Sequence, residues 1–221
     1  MRQLIEFLAR LALVVLIWSV WWWAINASLS NTLNLLMIVG GVLLVFPLVW
    51  LGRLILDRSP TRVAWITMLV HFALGFALGI PIIRAITTYR DWSGWVLPIP
   101  SEIGLALVVL SGAAFLLVVI NLALKGFGAP FAIALSQKLA VEWSYAWTRN
   151  PMVLAALALL LSLGIWFQSV MFLLWVLLLF APALLFFVKV YEERELELRF
   201  GASYREYKSR TPMLFPIKPK G

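Results

Sequence analysis

The chain has no cysteine and one histidine among its 221 residues. Disulfides, thiolate metal sites and cysteine nucleophiles are therefore excluded, and a single histidine cannot build a multi-histidine metal centre. Charge is scarce too: 13% of residues are Asp, Glu, Lys or Arg, about half the share of a soluble domain. Acidic residues are scarcer than basic ones, 10 against 18, which leaves a formal net charge of +8. A basic balance can signal nucleic acid. Here 63% of the chain is hydrophobic, and membrane topology accounts for the charge better, because basic residues gather on the cytoplasmic side of a bilayer. No nucleic-acid partner is expected.

What the chain has in quantity is long apolar runs. A membrane-crossing helix needs about 20 apolar residues. Six stretches are candidates: 4–25, 33–56, 63–86, 102–124, 151–168 and 171–191. The fold class predicted is all-α, a polytopic membrane protein with about six transmembrane helices and a C-terminal cytoplasmic amphipathic helix over Tyr191 to Arg210. The first run, with Arg2 before it and Arg10 near its start, looks like a signal peptide. It ends in Trp21, Trp22 and Trp23, too bulky for a small-residue cleavage site, and is read as a retained span. All Lys and Arg except Arg84 and Arg90 fall on one side of this topology. Both termini and the 125–150 loop are thereby placed in the cytoplasm.

Smaller features fill in the scheme. Gln168-Ser169 is predicted to be the tight turn of the last hairpin. The tryptophans at 18–23 and 92–95 read as interfacial anchors. Gly40, Gly41, Gly75 and Gly79 are expected to allow close helix packing. His71, alone inside the third span, is expected to be neutral and hydrogen-bonded between helices.

One stretch needs more than an anchor: Tyr145-Ala-Trp-Thr-Arg149-Asn150-Pro151, at the mouth of the fifth run. Pro151 suits the first turn of a helix. The residues before it then sit at a helix N-terminus, which attracts anions, and Arg149 adds a fork for a carboxylate or phosphate. The alternative is a snorkelling arginine with a proline start. Glu192 and Glu193 stand at the far end of the sixth run, so a hairpin brings them beside Arg149. That neighbourhood suits an ion pair, or a small zwitterion carrying a carboxylate and an ammonium.

Several residues here form a pattern. Gly126-x-Gly-x-Pro130 is followed by Lys138-Leu139, Tyr145 and Arg149-Asn150-Pro151-Met152. After the hairpin come Glu192-Glu193-x-x-Leu196-x-x-x-Phe200-Gly201-x-x-Tyr204-x-x-Tyr207 and a closing Pro216. Over residues 125–216 this resembles the isoprenylcysteine carboxyl methyltransferase and phospholipid methyltransferase superfamily. The resemblance divides the chain into a four-span region, 1–124, and a methyltransferase-like region, 125–221. It implies S-adenosylmethionine as cofactor and a lipid or prenylated acceptor entering from the bilayer. It also implies that Lys138, Leu139 and Val141 line the adenosine end. Tyr145, Asn150 and Pro151 would cradle the cofactor, Glu192 and Glu193 would take its ammonium or ribose hydroxyls, and Arg149 a carboxylate or substrate anion. Arg149, Glu193 and Tyr145 are the catalytic candidates.

The sequence departs from the pattern at three places. Asn150 stands where the family often has histidine, Val153 where it has tyrosine, and Trp143-Ser144 where it has glycine-proline. A carboxylate acceptor would need only an orienting cation. An amine or thiol would need a base, for which Tyr145, Tyr204 and a glutamate are candidates. Three rival readings stand beside the methyltransferase. These are a membrane protein that keeps the fold without catalysis, an NADPH-dependent sterol-type reductase, and a transporter with interrupted helices.

Overall fold

The structure is a computed structural model. It describes residues 2–88, 95–126 and 138–216, all helices and connections apart from one isolated bridge between Val96 and Ser169. Among the described residues eight helices follow one another: α1 Arg2–Asn26, α2 Asn31–Arg58, α3 Pro60–Thr88, α4 Ser101–Lys125, α5 Ser144–Trp147, α6 Pro151–Trp166, α7 Val170–Phe200 and α8 Ala202–Arg210. Four of them, α2, α3, α4 and α7, are long and apolar enough to cross a membrane. Leu11–Asn26 and α6 are apolar but shorter. The Gly-x-Gly-x-Pro motif beyond Gly126, the apolar middle of the following loop, Trp92 and Arg90 lie outside the described residues.

The helices pack as two groups bridged by α7. In one, α3 packs against both α1 and α2, and in the other α4 packs along α6. Helix α7 touches α2, α3 and α6, while among the described residues α3 and α6 do not form a packed pair. The largest apolar core lies where α2, α3 and α7 meet, around Val42, Val45, Val49, Val176 and Phe187. Small residues set the close approaches. A Cβ on Gly41 would stand 2.6 Å from the ring of Pro81, and one on Gly79 2.6 Å from the indole of Trp21. Gly40, expected to do the same, faces open space.

Arg84 was counted above with the outer-side cations, yet it is buried inside α3. Its guanidinium donates to the carbonyls of Ala24 and Ala27, at the C-terminal end of α1, and to Oδ1 of Asn34. Free carbonyls at a helix end carry partial negative charge, which is what a buried cation without a carboxylate needs. The tryptophan cluster is also divided. Trp18, Trp22 and Trp23 are exposed as anchors would be, but Trp21 turns inward and donates to the carbonyl of Gly75.

The predicted hairpin turn is present. Gln168 has φ of 53°, and Ser169 Oγ accepts from the Phe172 N–H to cap α7. The charged helix after Tyr191 is broken, not continuous. Gly201 sits at φ 55° and ψ −123°, a conformation that only glycine enters freely. The chain therefore turns there, and α8 brings Tyr204 and Tyr207 back over the start of α6.

Candidate functional site

Pro151 opens α6 as its first residue, and Asn150 precedes it. The Asn150 side chain does not cap the helix. Its Nδ2 donates to the Met213 carbonyl at 2.8 Å, the Thr148 hydroxyl donates to the same oxygen at 3.1 Å, and the Arg149 N–H donates to the Pro212 carbonyl at 2.9 Å. The residues after α8 thus form a strap across the start of α6. Nothing in the residue pattern signals this strap, because backbone acceptors carry no residue signature.

The expected meeting of Arg149 with the glutamates occurs. Arg149 Nη1 stands 2.9 Å from Glu193 Oε1, and both side chains are buried. The N–H is not aimed at that oxygen: Arg149 Nε and Nη1 and Glu193 Oε1 are buried without hydrogen-bond partners among the described residues. Glu193 Oε2 is held by Lys208 at 2.8 Å and Lys189 at 3.4 Å. Glu193 is therefore the hub of a cationic cluster.

Glu192 behaves differently. It makes no ion pair among the described residues and lines a cavity of about 510 Å³, a volume typical of a small-molecule site. Of the candidate residues, Leu139, Tyr145, Arg149, Asn150 and Glu192 line this cavity. Glu193, Lys138, Val141 and Pro151 do not. Lys138 is exposed, Val141 is half-buried, and Pro151 is buried in the first turn of α6. The cavity occupies the gap between α3 and α6. Its charged pole also includes Tyr204, Tyr207 and the ion-paired Glu195 and Arg199. Its other pole is apolar, bounded by Leu78, Ile82, Ile86, Leu160 and Leu163.

The tyrosines at the charged pole stay protonated at neutral pH. Burial pushes Tyr145 well above its ordinary value, with the Glu192 charge adding to the effect. Tyr204 is pushed up to about 12 by burial and by the charge of Glu193, against an opposing pull from Arg149. The Tyr207 hydroxyl donates to the Tyr145 carbonyl at 2.6 Å. These groups can donate hydrogen bonds, but at neutral pH they do not serve as bases.

Sequence reasoning did not place Glu195, Arg199 or Thr67 at the cavity. Their spacing on α7 and α3 is a helical repeat, legible only once the two faces are known to oppose each other. Backbone conformation adds one more feature. Trp143, before α5, has φ 55° and ψ −120°, a region that strains any residue except glycine. Compared with protein-family models, curated proteins and solved structures, the chain finds no match.

Proposed function

We propose that the protein is a membrane-embedded methyltransferase that takes its methyl group from S-adenosylmethionine and passes it to a lipid-like acceptor. The observation that carries this reading is the polar pole of the cavity. Among the described residues, Arg149 Nε and Nη1 are buried without acceptors and Glu192 has no ion-pair partner, on the walls of one site. Buried N–H groups left without hydrogen bonds are costly even when the charge is paired with Glu193, and a ligand carboxylate would take them up. A carboxylate and an ammonium on one small molecule match this pair, as the amino-acid end of the cofactor would. Leu139, Ala140 and Tyr145 offer the neighbouring walls for its adenosine end. When bound, the cofactor supplies a methyl group on a positively charged sulfur. Arg149 holds the carboxylate, Glu192 the ammonium, and the apolar walls exclude water from the transfer.

A second support comes from Trp143. The family pattern has glycine there, and the backbone at Trp143 has a glycine conformation. In this reading the two shorter apolar helices complete six spans. The end that carries nearly all the basic side chains faces the cytoplasm. The apolar gap between α3 and α6 admits the acceptor from the bilayer.

Calorimetry on the purified protein in detergent tests the reading, with S-adenosylmethionine, its demethylated product and NADPH as ligands. Micromolar binding of the first two, lost in Arg149→Ala, is expected. Binding of NADPH alone would replace the reading with a reductase. Binding of none would leave a fold without this cofactor.

A further inference from the structure

His71 is a titratable side chain in the cavity that the cofactor pair leaves unused. Its Nδ1 lies 2.9 Å from the Thr67 carbonyl, four residues back on the same helix, and not on a neighbouring helix as expected. A carbonyl only accepts, so the bond puts the proton on Nδ1 and leaves Nε2 as an acceptor. No group among the described residues donates to Nε2. The ring is fixed edge-on against Phe187, with centroids 5.3 Å apart, and against Tyr191 at 6.4 Å. The Tyr191 hydroxyl is already engaged with the Thr67 hydroxyl at 3.2 Å.

The position of His71 along α3 gives it meaning. Leu74, Leu78, Ile82 and Ile86 follow it at helical spacing on the same cavity wall. From Leu74 to Ile86 that stripe runs about 18 Å at 1.5 Å per residue, and its lining residues are all apolar. On the other side of His71 lies the charged pole. The imidazole thus stands at the seam between a charged head space and an apolar channel.

We propose that the cavity holds a lipid-like amphiphile whose tail lies along this stripe and whose thiol, amine or hydroxyl hydrogen meets His71 Nε2. The identity of the methyl acceptor rests on the methyltransferase reading; the binding site does not. In the transfer, the acceptor's proton passes to Nε2 and its electron pair forms the bond to the methyl carbon. The carbon–sulfur bond breaks with its pair going to sulfur. The products are the methylated acceptor, a neutral thioether and an imidazolium, so the sulfonium charge ends on His71. A carboxylate acceptor has no proton to give and would leave Nε2 unused. The structure therefore favours acceptors that bear a hydrogen on the methylated atom.

The test uses the full chain in lipid nanodiscs, with ¹⁵N in its one histidine and no cofactor present. Tetradecanol is compared with its methyl ether, which has the same tail and no donor. The alcohol is expected to shift the Nε2 resonance and to bind about fivefold more tightly than the ether, the contribution of one hydrogen bond. His71→Leu should retain ether binding, which also reports an intact cavity, and reduce the alcohol to the ether's level. His71→Gln should restore part of the preference through its amide oxygen. Equal binding of both probes to the native protein, an unmoved Nε2 resonance, or a preference that survives in His71→Leu would overturn the proposal. So would failure of both probes to bind. Because cofactor binding is measured separately, either claim can fail while the other stands.

Discussion

Arg149 and Glu193 form one ion pair, yet removing either partner should have different consequences. Their side chains are 8% and 4% exposed. Breaking a buried pair costs about 3–5 kcal/mol when it strands the remaining charge. In Glu193→Gln the stranded charge is Arg149, which has no second carboxylate within ion-pair distance among the described residues. The amide keeps an acceptor oxygen, so a cost of about 3 kcal/mol is expected. In Arg149→Ala the glutamate keeps Lys208 at 2.8 Å and Lys189 at 3.4 Å, and about 1–2 kcal/mol is expected. Ligand binding should show the reverse order. In the function proposed above, Arg149→Ala removes the group that would meet the cofactor carboxylate, and it should weaken S-adenosylmethionine at least tenfold. Glu193→Gln should weaken it less. Reversible unfolding in mixed micelles gives the stabilities, the double mutant gives the coupling, and calorimetry gives the affinities. If Arg149→Ala costs as much stability as Glu193→Gln, or leaves binding intact, Arg149 is a fold element and the site assignment fails.

Trp143 occupies a glycine conformation, so Trp143→Gly should be more stable than Trp143→Ala by about 1–2 kcal/mol in the same unfolding assay. That reverses the usual order of the two residues. A Cβ on Gly104 would stand 2.3 Å from the backbone nitrogen of Trp166, whereas one on Gly112 meets only a leucine methyl at 4.0 Å. Gly104→Ala should therefore cost about 2–3 kcal/mol, and Gly112→Ala less than about 0.5. Tyr204 titrates near 12 in the folded state, and burial also raises Tyr145 and Tyr207. The folded state thus disfavours their ionised forms. Stability should hold below pH 10 and fall as pH rises from about 10 towards 12, read from unfolding midpoints at successive pH values.

The apolar runs made the helices and most of their ends legible, because a bilayer-length hydrophobic stretch has few other uses. The neighbourhood of Arg149 and the glutamates was legible as well, since a tight turn at Gln168-Ser169 forces the far ends of a hairpin together. Their division of labour was not. Adjacent residues on a helix point about 100° apart, and only the packing decides which of Glu192 and Glu193 meets the cations and which meets the cavity. The burial of Arg84 was not legible either: charge counting gives an arginine a side and says nothing of depth, and the carbonyls at the end of α1 make a buried site for this one. The break at Gly201 could have been anticipated from glycine alone, but the direction of α8 after it depends on what Tyr204 and Tyr207 pack against.

Helix lengths explain how buried charge and an apolar gap come to share one cavity. Helices α4 and α6 are antiparallel neighbours, held in register where Gly104 meets Trp166 and where Ser111 Oγ donates to Ser162 Oγ at 3.3 Å. From Gly104 the longer helix continues to Lys125, about 31 Å away. From Trp166 the shorter one reaches Pro151 after about 22 Å. The start of α6, just after Arg149, is therefore recessed by about 9 Å, somewhat under two turns, below the rim marked by Lys125. The space above it is filled by α5, the residues from Lys138 and the strap that follows α8, whose backbone acceptors hold the start of α6. A cation sunk to that depth cannot keep its water, so it must be met by protein or by ligand. Glu193 meets part of it, and the unused N–H groups of Arg149 are what remains. Shortening one helix thus sets a charged pole beside the apolar walls of the same cavity, and in the function proposed above this is what would let an amphiphile reach it sideways from the bilayer.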